Sequence, residues 1–210
     1  MKLFITGIGT DVGKSIASAI CVEALEADYW KPIQAGDLDF SDTHKIKSLT
    51  SKVTSTGVQR EYFDNAYALK TPASPHLAAK IDTIVIDVTK IIEPVSKNHL
   101  VIEGAGGILV PLNDNDCIID LIKSDYKVII VSRHYLGSIN HTLLTFEALK
   151  SRNISVAGII FSGDENPSTE GIILKKTKAK FIGRIDNEPY FDQRVIEYYS
   201  NLFRENLLTL

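Results

Sequence analysis

A glycine-rich segment that ends in a lysine and a serine carries the clearest chemistry in this sequence. Residues 7–15 read GIGTDVGKS, which ends like a Walker A loop but has five residues rather than four between Gly7 and Gly13. Backbone N–H groups at a helix start bind phosphate; Lys14 would reach the β- and γ-phosphates of a nucleotide, and Ser15 would coordinate magnesium. The predicted nucleotide contacts in this segment are Asp11, Val12, Gly13, Lys14, Ser15 and Ile16.

Two carboxylates stand where a magnesium ion beside a triphosphate could use them. Glu103 follows the apolar run 100–102, as a Walker B acid would, and the loop after it begins with Gly104, Ala105 and Gly106. An ionised side chain at the end of a buried strand is costly without a partner, which favours a functional role. Asp42 follows Ser41, where the sequence allows either a helix N-cap or a magnesium ligand.

A second lysine, Lys31, follows Trp30 at the end of an apolar run and precedes Pro32. Because ligands collect at the carboxyl ends of parallel strands, we expect Lys31 to point into the same crevice as Lys14. Two ammonium groups there would suit a transition state whose negative charge is spread over a transferring phosphoryl group and its acceptor. A surface lysine at a turn is the alternative that the sequence leaves open.

The elements that must position these side chains alternate between strands and helices. Apolar runs predict strands over residues 2–6, 28–33, 100–102, 128–131, 156–161 and 181–182. Helical spacing predicts helices over residues 16–25, 43–49, 77–80, 85–95, 139–149 and 195–202. This alternation implies parallel pairing through right-handed crossovers, so the predicted fold class is α/β: a three-layer sandwich with a mostly parallel central sheet, the fold of P-loop NTPases.

Length and composition favour one globular domain over residues 1–210. The chain is 44% hydrophobic and 23% charged, with a formal charge of −3. Because it has no net positive field and no apolar run of about 20 residues, neither nucleic acid nor a membrane is an expected partner. Cys21 and Cys117 are expected to be reduced core residues, and the N-terminus does not read as a signal peptide, so we expect a cytoplasmic protein.

Six motifs stand in a fixed order along the chain. They are the 7–15 loop with Thr10 and Asp11, Lys31-Pro32, Ser41-Asp42, PASPH at 72–76, EGAGG at 103–107 and LGSINH at 136–141. Each motif alone is weak or shared, whereas the six together are specific. Together they resemble the motifs of the dethiobiotin synthetases, ATP-dependent enzymes that close the ureido ring in biotin synthesis, and the resemblance covers nearly the whole chain.

The resemblance implies ATP and Mg²⁺ as cofactors and 7,8-diaminononanoate and carbon dioxide as substrates. One amine would take up carbon dioxide as a carbamate, whose oxygen attacks the γ-phosphate to give a carbamic–phosphoric anhydride. The second amine would then close the ring as phosphate leaves. The implied catalytic residues are Lys31, Lys14 and Thr10, and the implied magnesium ligands are Ser15, Asp42 and Glu103.

The resemblance also implies a homodimer with the substrate site at its interface. The diamine's carboxylate would bind the partner's helix start, although an ordinary N-cap is the alternative for these residues: Gly137, Ser138, Ile139 and Asn140. Gly106 and Ala35 would meet the diamine, Ala35 through its backbone because relatives usually carry serine or threonine there. Ser162 and Gly163 would contact the nucleotide base, where relatives often have Asn-Asp.

Three other functions compete with this interpretation. A dimeric P-loop switch ATPase of the partitioning type shares the fold, but its signature lysine would stand where this chain has Gly9. Synthases of the cobyrinate or cobyric acid group would need a much longer chain. A non-catalytic nucleotide-binding module would not need Lys31 in addition to two magnesium ligands.

Overall fold

The computed structural model describes residues 1–210, along which strands and helices alternate. The strands are β1 (Lys2–Gly7), β2 (Asp28–Trp30), β3 (Ile33–Ala35), β4 (Tyr62–Phe63), β5 (Tyr67–Leu69), β6 (Leu100–Gly107), β7 (Tyr126–Arg133), β8 (Val156–Ser162) and β9 (Lys180–Ile185). The helices are α1 (Lys14–Leu25), α2 (Asp42–Leu49), α3 (Pro75–Ile81), α4 (Ser138–Ser151), α5 (Pro167–Thr177) and α6 (Gln193–Leu208).

Seven strands form one parallel sheet in the order β4-β2-β6-β1-β7-β8-β9, and β3 pairs with β5 outside it. Apolar residues of α1, α2 and α6 pack on one face of the sheet, and those of α3, α4 and α5 pack on the other. No helix is both long and apolar enough to span a bilayer. The predicted α/β fold with three layers is therefore confirmed.

Strand β1 shows why the apolar runs in this sequence are continuous. Leu3 and Ile5 belong to the core under α1 and α6, whereas Phe4 belongs to the opposite core. Successive side chains of a strand point to opposite faces, so a strand covered on both faces is apolar throughout. In register, Ile5 lies beside Glu103 of β6 and Gly7 beside Val131 of β7, which sets the glycine-rich loop between the ends of two neighbouring strands.

The predicted strand over residues 28–33 is divided into β2 and β3 at Lys31 and Pro32. Pro32 has no backbone N–H to give to a strand ladder, which explains the break. Beyond the break, β3 leaves the main sheet and pairs with β5. The side chain of Lys31 is thereby carried by an irregular link at the carboxyl end of β2.

The helix predicted over residues 85–95 is wrong. That segment contains only a 3₁₀ turn, Val88–Lys90. Val85 and Val95 are 83% and 92% exposed, whereas Ile86 is buried in the core, so this segment packs on the core without forming a helix. β-Branched side chains crowd a helix and Pro94 cannot continue one, and these effects decide against the periodicity.

Two further differences concern α5 and the cysteines. Helix α5 was not predicted, although Asn166 accepts a hydrogen bond from Thr169 N at 3.1 Å and Pro167 occupies the first turn. An Asn-Pro pair is a recognised helix start that the sequence carries. Both cysteines are free, but only Cys21 is buried, whereas Cys117 is half-buried at the edge of the core.

Candidate functional site

A cavity of about 710 Å³ opens at the carboxyl ends of the central strands. It combines the glycine-rich loop, the link after β2, the start of α2 and the end of β6, as the strand-end rule predicts. Its lining includes most of the residues that the sequence singled out: Thr10, Asp11, Gly13, Lys14, Ser15, Ile16, Lys31, Ala35, Asp42, Glu103, Ala105, Gly106 and Ser162.

The glycine-rich loop turns into α1 at Gly13, which caps the helix in the left-handed region with φ 94°. A side chain at this position would be strained, and its Cβ would lie 3.1 Å from Oγ of Ser162. Lys14 is buried and donates a hydrogen bond to the carbonyl of Gly9 at 2.8 Å. Burial lowers the pKa of the Lys14 ammonium, which makes an anionic ligand a favourable partner for it.

A hydroxyl and two carboxylates meet on the cavity wall. Ser15 Oγ lies 2.6 Å from Oδ1 of Asp42 and 3.0 Å from Oε1 of Glu103. Ser15 has one hydroxyl proton, so it donates to only one of the two carboxylates at a time. Hydroxyl and carboxylate oxygens of this kind are the ligands that Mg²⁺ prefers.

Lys31 closes this cluster with a positive charge. Its Nζ forms an ion pair with Asp42 and lies 3.3 Å from Oε1 of Glu103. Burial acts to lower the pKa of Lys31, but the carboxylates of Glu103 and Asp42 outweigh it, so the pKa is raised. Burial likewise acts to raise the pKa of Asp42, and Lys31 outweighs it, so that carboxyl group has a lowered pKa. Lys31 and Asp42 thus stabilise each other's charged forms.

The buried carboxylate of Glu103 is held in place by a tyrosine hydroxyl. It is 1% exposed, and its Oε2 accepts a hydrogen bond from the Tyr29 hydroxyl at 3.0 Å. Burial, together with the charge of Glu103, raises the pKa of Tyr29 well above its ordinary value, so the hydroxyl keeps its proton and remains a donor. Tyr29 fixes one oxygen of Glu103 and leaves the other facing Ser15 and Lys31.

The start of α2 excludes the N-cap role for Asp42. The N-cap of the helix is Ser41, whose backbone N–H donates to Nδ1 of His44 at 3.2 Å. Asp42 is the first residue of the helix, and its carboxylate is turned toward Ser15 and Lys31. The capping role that the sequence allowed for Asp42 therefore belongs to its neighbour.

Some predicted residues lie outside this cavity. Val12 is buried in the core, and a Cβ on Gly104 would lie 3.3 Å from Ile118, so both positions face packed side chains. A second cavity of about 510 Å³ is lined by Gly137, Ser138, Ile139 and Gly163. Asn140 lines neither cavity. Within one chain, the residues expected to bind the diamine's carboxylate are therefore not brought to the first cavity.

The cavity also contains polar residues that the sequence reasoning missed. Arg133 stands at the carboxyl end of β7, where the strand-end rule could have found it. Lys45 follows Asp42 by one helical turn and therefore shares its face of α2. The missed polar residues in the lining are Gln34, Asp37, Lys45, Arg133, Asp186, Asn187 and Glu188.

Comparison with known proteins identifies the family. A family model described as an AAA domain matches residues 1–195. The chain is 59% identical over 204 residues to the ATP-dependent dethiobiotin synthetase BioD of Christiangramia forsetii, covering 97% of this chain and 96% of that protein. It is 48% identical over 201 residues to the protein of the same name from Cytophaga hutchinsonii, covering 95% of each chain. The chain belongs to the dethiobiotin synthetase family.

Solved structures outside the dethiobiotin synthetase family share the fold. The MinC:MinD cell division protein complex of Aquifex aeolicus matches with a TM-score of 0.57 and 16% identity, covering 100% of this chain and 96% of that chain. A ParA family ATPase from Chlorobium tepidum matches with a TM-score of 0.54 and 14% identity, covering 99% of each chain. The partitioning ATPases are therefore distant structural relatives, and the chain is a dethiobiotin synthetase by family.

Proposed function

We propose that this chain closes the ureido ring of dethiobiotin from 7,8-diaminononanoate, carbon dioxide and ATP. The observation that carries the proposal is the convergence of Lys14, Lys31 and the Ser15–Asp42–Glu103 cluster on one cavity. A nucleotide-binding module needs the loop and its lysine, but it does not need a second, carboxylate-held lysine at the same place. That lysine is what a reaction between a phosphate and an anionic acceptor requires.

In the proposed reaction, an amine adds to carbon dioxide and loses a proton, giving a carbamate. A carbamate oxygen attacks the γ-phosphorus as the bond to the β-phosphate oxygen breaks and ADP leaves. The second amine attacks the carbamoyl carbon and loses a proton, the bond from that carbon to the phosphate oxygen breaks, and phosphate departs. No side chain forms a bond to the substrate, so the protein acts by positioning and electrostatics.

Three residues of this chain have roles in that sequence. Lys14 would leave the Gly9 carbonyl and pair with the β- and γ-phosphates, since its present partner is only a neutral acceptor. Lys31 would stabilise charge on the carbamate and the transferring phosphoryl group. Thr10 lines the cavity near Gly106, where a Cβ would lie 3.6 Å from Oγ1 of Thr10, and this hydroxyl would bond the carbamate.

Magnesium fits the oxygen cluster as a partner of bound ATP. Ser15, Asp42 and Glu103 offer fewer oxygens than Mg²⁺ needs, so phosphate and water oxygens would complete its coordination. When bound, the ion neutralises charge on the β- and γ-phosphates. The convergence of one hydroxyl and two carboxylates beside the phosphate loop supports this assignment.

The second cavity supports a homodimer with a shared substrate site. Residues 137–139 lie at the N-terminus of α4, where free N–H groups and the helix dipole favour a carboxylate. We include in the proposal that this end binds the carboxylate of a diamine held in the partner's first cavity.

The two free cysteines fit the reducing cytoplasm, where we propose the enzyme works.

A steady-state assay tests the proposed function. Purified protein is given ATP, magnesium, bicarbonate and the diamine, and both dethiobiotin and phosphate are measured. We expect phosphate release in step with dethiobiotin and dependence on every component. Phosphate release at the same rate without diamine would instead make the chain a switch ATPase. Repeating the assay with each of the remaining nucleoside triphosphates in place of ATP measures the preference for the base, which Ser162 is proposed to contact.

A further inference from the structure

One cation in the first cavity has no role in the reaction described above. Arg133 lies at the end of β7, and its strand partner in β8 is Ser162. Two residues earlier, Val131 pairs with Gly7 of β1 and packs in the core under α1. Because side chains of a strand alternate between faces, Arg133 emerges on the same side of the sheet as α1 and the glycine-rich loop.

The guanidinium of Arg133 is anchored to that loop by a hydrogen bond. Its Nη1 donates a hydrogen bond to the backbone carbonyl of Asp11 at 2.9 Å. Asp11 is in the left-handed region with φ 56°, a conformation that this bond helps to hold. The anchor uses one of the five N–H donors of the guanidinium and keeps the charged group beside the loop.

The remaining donors of Arg133 have no acidic partner. The arginines that form ion pairs with carboxylates are Arg60, Arg152 and Arg184, and Arg133 is not among them. An uncompensated guanidinium therefore lines the cavity between the phosphate loop and Ser162. A guanidinium in such a place binds the oxygens of an anion, and phosphate suits its fork geometry.

We propose that Arg133 is a further nucleotide-binding residue, which contacts the phosphate chain with the donors that its Asp11 anchor leaves free. The proposal rests on the proposed function only in taking a nucleotide as the ligand of this cavity. Arg133 also lines the second cavity, so a substrate carboxylate is the other anion it could meet. The phosphate chain is favoured because the anchor holds the guanidinium to the phosphate loop itself.

Calorimetric titrations of ADP and adenosine, without diamine, test the proposal in the full chain. Arg133→Gln can still donate a hydrogen bond to Asp11 but has no charge. Arg133→Lys keeps the positive charge on a compact ammonium group but lacks the guanidinium fork. We expect the glutamine variant to bind ADP about tenfold more weakly and adenosine as the parent does, with the lysine variant recovering part of the loss. Lys127→Gln, an exposed lysine of the same strand, is the matched control and should bind both like the parent.

Several outcomes would overturn the role of Arg133. If the glutamine variant binds ADP as tightly as the parent does, Arg133 only anchors the loop and does not contact the nucleotide. If the variant loses equal affinity for ADP and for adenosine, the substitution has distorted the pocket. If Arg133→Lys binds ADP as weakly as Arg133→Gln does, the positive charge at this position is not the cause of the lost affinity. A higher KM for the diamine with unchanged ADP binding would assign Arg133 to the substrate carboxylate. If the ADP affinities fall in the expected order, parent, lysine variant and glutamine variant, but the parent makes no dethiobiotin, only the proposed function is wrong.

Discussion

The hydroxyl of Ser15 lies 2.6 Å from Oδ1 of Asp42, although the two residues are 27 positions apart in the sequence. Glu103, from a third element, brings Oε1 to 3.0 Å from the same hydroxyl. The first turn of α1, the first residue of α2 and the middle of β6 thus share one oxygen cluster. The positive charge that faces this cluster in the structure is the ammonium group of Lys31.

Replacing Ser15 by alanine is expected to raise the magnesium concentration for half-maximal activity by at least about tenfold, because the cluster loses one of its few ligands. A magnesium titration at saturating ATP measures this. Ser18→Ala is the matched control, since Ser18 is a buried serine of the same helix whose hydroxyl has no hydrogen-bond partner. Equal magnesium requirements in the two variants would argue against Ser15 as a ligand.

Replacing Lys31 by glutamine is expected to lower kcat for dethiobiotin by at least about a hundredfold, since the charge that stabilises the transition state is lost. Glutamine can still donate hydrogen bonds to Asp42 and Glu103, so the fold should be retained. Steady-state kinetics and thermal unfolding measure the two effects.

Lys31→Met controls for that substitution. It removes the donors as well as the charge and leaves the Glu103 carboxylate buried without its cation, so it should unfold at a lower temperature than the glutamine variant. Dethiobiotin production by Lys31→Gln at near the parental rate would exclude Lys31 from the mechanism.

The sequence predicted six of the seven strands of the main sheet, all but β4, and the phosphate loop, because these depend on local patterns. Buried parallel strands read as continuous apolar runs, and the loop chemistry lies within nine consecutive residues, 7–15. The Tyr29–Glu103 bond and the bond from Arg133 to the Asp11 carbonyl were not predictable in this way, because each depends on how separate elements are placed against one another. The wrong helix over residues 85–95 has the opposite origin: a periodic pattern was present, but β-branched residues and Pro94 oppose a helix, and Ile86 reaches the core from a non-helical segment.

Replacing Tyr29 by phenylalanine leaves Oε2 of the buried Glu103 without its donor. We expect the free energy of unfolding to fall by about 1–3 kcal/mol and the magnesium requirement to rise, because the carboxylate is no longer fixed. Denaturant unfolding and a magnesium titration measure these. Tyr62→Phe is the control, since its hydroxyl pairs with Thr50 away from the cluster, and it should leave the magnesium requirement unchanged.

The pH dependence of ATP use should report Lys14. Burial lowers its pKa from the ordinary 10.5, so charged Lys14 is lost at lower pH than for an exposed lysine. The kcat/KM for ATP, which reflects the free enzyme, should therefore fall on the alkaline side from a pH below 10.5. Lys31 cannot cause this fall, because its pKa is raised overall.

A Lys14→Arg variant tests that assignment. Arginine keeps its proton far above the pH of the experiment, so the alkaline fall should disappear even if the maximal rate is lower. An unchanged alkaline fall in this variant would assign it to another group.

The proposed shared site predicts that two inactive variants restore activity when combined. Lys31→Gln damages the first cavity, and Ile139→Glu places a carboxylate at the partially exposed start of α4, where it should repel the diamine's carboxylate. In a dimer that contains one chain of each kind, one site carries both defects and the other carries neither. The isolated mixed dimer should therefore have about half of the parental activity per dimer. Co-expression with two affinity tags and an assay of the mixed dimer measures this. Activity no higher than that of the separate variants would mean that each chain binds its substrate alone.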